Sequence, residues 1–139
     1  MAVVALLAAA ASADPALDYQ LQCQGCHLAD GSGVPGAVPS LAGVGRFLSV
    51  PRGPEYLVRV PGSAQAPLSS ERLAALLAWL VTRFDPAGAA ASPAQFDVAL
   101  VERWRRSPLT DVAALRESLL REISASGASA GRAPADRGP

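Results

Sequence analysis

The stretch Cys23-Gln24-Gly25-Cys26-His27 decides the reading of this chain, because it sets two thiols and an imidazole within reach of the edge of one porphyrin. In a helical turn the thiols, three positions apart, fall on one side and can each add to a haem vinyl group, while the following imidazole turns toward the iron. Other uses of a Cys-x-x-Cys pair fit less well. A thioredoxin-like redox pair needs a βαβ setting, and no strand-like alternation surrounds the motif. A structural zinc cage needs four ligands, whereas the sequence holds two Cys and one His in all. A disulfide is the common use of paired cysteines in a secreted chain, but the adjacent His favours two thioethers. A chance occurrence of the pentapeptide is the remaining alternative.

Working outward, residues 2–11 form an uncharged run of Ala, Val and Leu, followed by Ala11-Ser12-Ala13, a small-x-small site with cleavage expected before Asp14. Residues 1–13 therefore read as a signal peptide, too short in its apolar part to span a bilayer. Its opening lacks Lys and Arg, and an Ala-rich helix of the mature protein is the alternative. Haem c is attached on the outer side of the bacterial membrane, so the motif and the signal together predict a periplasmic protein that meets the membrane only through export.

The 139 residues carry 12 acidic and 12 basic side chains, and every basic one is Arg. Such a balance gives no field to steer nucleic acid. A chain this short builds a thin core, and a buried haem would supply much of the apolar surface. The pattern is all-α. Asp14-Pro15 reads as N-cap and first residue of a helix running through Tyr19 into the motif. Residues 28–46, broken by several Gly and Pro, read as a loop. Residues 54–60 predict a short helix ended by Pro61-Gly62. Ser69 or Ser70 caps a stronger helix to Phe84, with Leu73, Leu76, Leu77, Leu80 and Val81 at helical spacing, stopped by Asp85-Pro86-Ala87-Gly88.

This order of parts resembles a class I c-type cytochrome, and the likeness extends beyond the pentapeptide. Tyr19, the run His27-Leu28-Ala29-Asp30-Gly31-Ser32-Gly33, the run Pro39-Ser40-Leu41-Ala42-Gly43 and the helix bearing Trp79 all have counterparts in that family. The resemblance covers residues 14–86 and implies one covalent haem c held by Cys23 and Cys26, with His27 as axial ligand. It implies that the Pro39 carbonyl accepts the His27 Nδ1 proton, that Leu41 packs on the porphyrin, and that Arg46 holds a propionate. A carbonyl on Nδ1 fixes the tautomer that leaves Nε2 free for iron.

One family element is missing. The family completes its iron with a methionine ahead of the last core helix, where this chain reads Gly62-Ser63-Ala64-Gln65-Ala66-Pro67-Leu68, and the one methionine is Met1. Gln65 lies nearest the expected position, and its amide oxygen is a weak donor for haem iron. Two functions follow. The first is a periplasmic electron carrier whose partner is a redox protein such as a dehydrogenase or an oxidase. The second is a high-spin haem protein that binds or senses a small gaseous ligand at an open distal side. Catalysis is not expected, since both thiols and the imidazole are committed to haem and no acid–base pair remains.

Residues 87–124 read as a helical extension. Ser92-Pro93-Ala94-Gln95 forms a capping box for a helix through Phe96, Leu100 and Trp104, and Thr110 caps a second carrying Val112, Leu115, Leu119, Leu120 and Ile123 on one stripe. Those stripes need cover from the haem domain or from a partner. Arg103, Arg105 and Arg106 read as a solvated face. Residues 125–139, rich in Gly, Ser, Ala, Arg and Pro, read as a disordered tail.

Overall fold

Asp14 opens the fold as read: its carboxylate accepts from the N–H groups of Ala16 (3.0 Å) and Leu17 (3.3 Å), and Pro15 takes the first helical position. A computed structural model describes residues 14–91 and 96–130. Helix α1 (Pro15–Gln22) and the short α2 (Gln24–His27) meet at Cys23, whose carbonyl accepts from the N–H groups of both Cys26 and His27. A loop follows to Gly43, then a 3₁₀ segment Val44–Ser49, α3 (Gly53–Arg59), α4 (Pro61–Ala64), α5 (Ser70–Phe84), α6 (Pro86–Ala91), α7 (Val98–Arg105) and α8 (Val112–Ala130). Among the described residues no strand forms, and the loop contributes one antiparallel bridge, Val34 with Val38.

Several boundaries differ from the sequence reading, each for a local reason. Pro61 and Pro86 do not simply stop a helix; each starts a new one, because proline at the first helical position loses no hydrogen bond. Asp85 ends α5 and then serves α6, its carboxylate accepting from Gly88 N–H (3.0 Å) and Gly45 N–H (2.8 Å). The capping box at 92–95 lies outside the described residues. Helix α7 is capped by Asp97, which accepts from Leu100 N–H at 2.9 Å, and α8 by Asp111 rather than Thr110, accepting from Ala114 N–H at 3.0 Å. Helix α8 also continues past Ser124 to Ala130, so the tail read as disordered is helical over residues 125–130. Alanine favours helix there, and the Ser124 and Ser126 hydroxyls donate to the carbonyls of Leu120 and Glu122.

The core is one apolar cluster built on α5, with Leu73, Leu76, Leu77, Leu80 and Val81 buried, and Val58 of α3 facing it. Phe96, Val101 and Leu119 belong to the same cluster, so α7 and α8 cover their stripes on the protein's own core. Polar ties reinforce the join. Arg105, read as solvated, donates to the carbonyls of Ala64 (3.3 Å), Ala66 (2.6 Å) and Leu68 (2.6 Å). Arg59 donates to the Ser107 carbonyl at 2.7 Å, and Leu109 N–H returns a bond to the Arg59 carbonyl at 2.9 Å.

Helix α1 is pinned to α5 by charge. Asp18 is only 1% exposed, and the Arg72 guanidinium grips both its carboxylate oxygens. An aromatic cluster of Tyr19, Trp79 and Phe84 fills the same crossing, with the Tyr19 and Phe84 rings 5.2 Å apart. Removing Arg72 leaves a buried carboxylate unpaired. Arg72→Ala should destabilise the haem-loaded protein by about 2 kcal/mol in chemical denaturation, below the ~3–5 kcal/mol of a fully buried pair because the Arg72 side chain is 46% exposed.

Candidate haem-binding site

The α1–α2 junction turns Cys23, Cys26 and His27 onto one wall of a cavity of about 250 Å³. Its other walls come from Pro39 and Leu41 of the loop, Val44 and Phe47 of the 3₁₀ segment, Tyr56, Leu57 and Val60 around α3, and Leu77, Leu80 and Val81 of α5. These are mostly aliphatic and aromatic groups, the lining a flat, largely apolar macrocycle requires.

The donor atoms are set for covalent haem. Cys23 is half-buried and Cys26 exposed, and neither is in a disulfide. Burial pushes the Cys23 thiol up to about 11, with Asp18 and Cys26 adding to the effect, so it stays protonated at neutral pH. Burial lowers the His27 pKa, opposed by the Pro39 backbone, and the neutral imidazole is the form that binds iron. His27 Nδ1 is buried without a hydrogen-bond partner of regular geometry, and the backbone of Pro39 is the polar group acting on it. The loop reaches this position through short backbone bonds: Gly33 N–H donates to the His27 carbonyl (3.2 Å) and Leu41 N–H to the Gly31 carbonyl (2.8 Å). The residues present thus fit a c-type haem: two thiols, a neutral imidazole and an apolar pocket.

Two residues named from the sequence are not brought to this site. Gln65 is exposed and does not line the cavity, because the α4 turn buries Ala64 and Ala66 on either side and leaves Gln65 outward; Gly62 and Ser63 form the wall instead. Arg46 is also exposed, its guanidinium lying over the Phe47 ring at 5.7 Å, and it does not line the cavity. The sequence reading missed Tyr56, Val112 and Arg116, all in the wall. A signal for the last existed: in α8, Arg116 shares a face with Val112, Leu119 and Leu120, a lone cation interrupting an apolar stripe.

No family model and no solved structure matches the chain. Two curated proteins do. Cytochrome c-552 from one strain of Thermus thermophilus is 34% identical over 128 residues, covering 78% of this chain and 86% of that protein. A second cytochrome c-552 of Thermus thermophilus is 34% identical over 115 residues, covering 69% of this chain and 88% of that protein. The chain belongs to the class I c-type cytochromes. As a member it carries one covalently bound haem c, and its all-helical architecture agrees. In this cytochrome no helix among the described residues is long and apolar enough to cross a membrane.

The cytochrome's loop depends on Gly33. Its φ of +71° suits glycine, and a Cβ there would stand 2.4 Å from the Val38 carbonyl oxygen and 2.8 Å from that of Pro39. Gly36 has a similar φ of +76° with open space around it. Gly36→Ala should therefore cost about 1 kcal/mol of backbone strain, and Gly33→Ala about 2–3 kcal/mol. Only Gly33→Ala should also shift the haem absorption bands, because it displaces the backbone facing His27; denaturation curves and spectra of the two variants check this.

Proposed function

We propose that this chain is a periplasmic monohaem electron carrier in which Cys23 and Cys26 form the thioethers, His27 is the axial ligand and no methionine completes the iron. The observation that carries the reading is the convergence of both thiols and a neutral imidazole on one apolar cavity. When bound, the haem supplies a one-electron iron couple. Family membership supports electron transfer as the use of that couple.

The chain's own residues do the rest. The Pro39 backbone is the polar group acting on Nδ1 of His27, and by taking up its proton in the haem-loaded protein it would orient the ring and strengthen Nε2 as a donor. Leu41, Phe47, Leu77 and Leu80 exclude water, so little solvent reorganises when charge changes inside. The partly exposed α2 edge at Cys26 leaves a short path to a redox partner protein, a dehydrogenase or an oxidase.

A second reading, binding of a small neutral gas, is favoured by one feature. The segment before α5 brings Gly62 and Ser63 to the cavity, and Met1 is the one methionine of the sequence. A hydroxyl is a poor ligand for haem iron, so the carrier would have a low potential and a reachable distal side.

Haem should resist acid–acetone extraction from the wild type, and Cys23→Ala should keep at most one thioether, with a shifted pyridine haemochrome; freely extracted haem would overturn the attachment. Ferrous protein should change its spectrum promptly with carbon monoxide. A wholly low-spin ferrous form indifferent to the gas would mean that another ligand closes the site. Export predicts that protein from a periplasmic fraction begins at Asp14 on N-terminal sequencing.

A further inference from the structure

Arg116 is the one arginine, lysine or carboxylate side chain that lines the cavity among the described residues, and nothing in the attachment motif accounts for it. It is half-buried on α8, and it forms no ion pair or hydrogen bond with any described residue. Its neighbour Glu117 faces Arg121 instead, at 4.0 Å. Beside it in the wall stands Tyr56, 5% exposed, whose hydroxyl also has no hydrogen-bond partner among the described residues. Both side chains line the same cavity, and the guanidinium lowers the phenol's pKa against the larger raising by burial. A half-buried cation and a hydroxyl on the same largely apolar wall offer an entering anion two donors, and no described residue already occupies them. A guanidinium fork beside a hydroxyl suits a planar carboxylate.

We propose that Arg116 and Tyr56 form a carboxylate-binding site that holds a propionate of the haem. The proposal rests on the reading that haem is attached at Cys23 and Cys26 in this cavity, and it gives α8 a role beyond packing. It also moves the propionate anchor from Arg46, whose side chain lies outside the cavity, to a helix outside the 14–86 segment that carries the family resemblance. Arg116 favours the ionised propionate and offsets its charge near the iron. Loss of Arg116 should raise the propionate's pKa into the titratable range and favour ferric iron. The other titratable groups on the cavity are Cys23, Cys26 and His27 of the attachment motif and Tyr56 of α3; the 3₁₀ segment, α4 and α5 contribute none.

The test is the reduction potential of haem-loaded protein from pH 5 to 8, for the wild type and for Arg116→Gln, Arg116→Lys, Tyr56→Phe and Arg46→Gln. The expected result is a wild-type potential nearly independent of pH and a lower potential in Arg116→Gln that falls further as pH rises. Arg116→Lys should restore part of the difference, Tyr56→Phe should show a smaller change of the same sign, and Arg46→Gln should behave as wild type. A pH-independent, unshifted Arg116→Gln would overturn the proposal, as would the same signature in Arg46→Gln. Added acetate at constant ionic strength separates the two sources of carboxylate. A wild-type shift that is lost in Arg116→Gln would mean that the site takes a free anion, overturning the propionate assignment. Haem staining after denaturing electrophoresis keeps the failures apart, because absence of bound haem in the wild type overturns the attachment reading, whereas bound haem with an inert Arg116 overturns this inference alone.

Discussion

A half-buried imidazole whose Nδ1 is shut off from solvent lies where the motif, the loop and the cavity meet, and the rest of the structure is arranged around it. His27 follows Cys26 directly, so its position is set by the turn at Cys23, and its ring can be held only by what approaches its other nitrogen. The loop supplies that approach. Glycine at position 33, the Val34–Val38 bridge and the Gly31–Leu41 backbone bond fold the loop back until Pro39 and Leu41 stand over the motif. The aromatic cluster behind it and the Asp18–Arg72 pair hold α1 against α5, which keeps the motif at the cavity rim.

The C-terminal helices are integral to that arrangement. Val101 and Leu119 are among the most buried side chains of the protein, and Val112 reaches the cavity wall. A small cytochrome core has little apolar area of its own, so two added helices enlarge the surface that excludes water from the cofactor.

Much of this was legible in the sequence, for reasons that can be named. The pentapeptide fixes its own chemistry, the Asp14-Pro15 and Ser69 caps set two helix starts, and the α5 periodicity marks the core. What was hidden was direction. Whether Gln65 or Ser63 faces inward depends on a single short turn started by Pro61, and spacing along the chain carries no such information. Arg46 sat at a familiar place in the pattern, yet the ring of Phe47 offered its guanidinium a nearer surface. The clasp of Arg105 joins residues far apart in sequence, and an arginine on a helix surface reads as solvated until its carbonyl partners are seen.

That clasp bears on how the molecule moves. Segment 61–68 has one short helix of its own and would ordinarily fray as an independent local unit. With Arg105 bonded to three of its carbonyls, and Arg59 linked to the connection after α7, opening the segment means breaking contacts to a second part of the chain at the same time. The cavity wall at 61–68 and α7 are therefore one cooperative unit. Their amides share an opening equilibrium, and solvent access to the cavity from that side is governed by the stability of a helix some forty residues further along the chain.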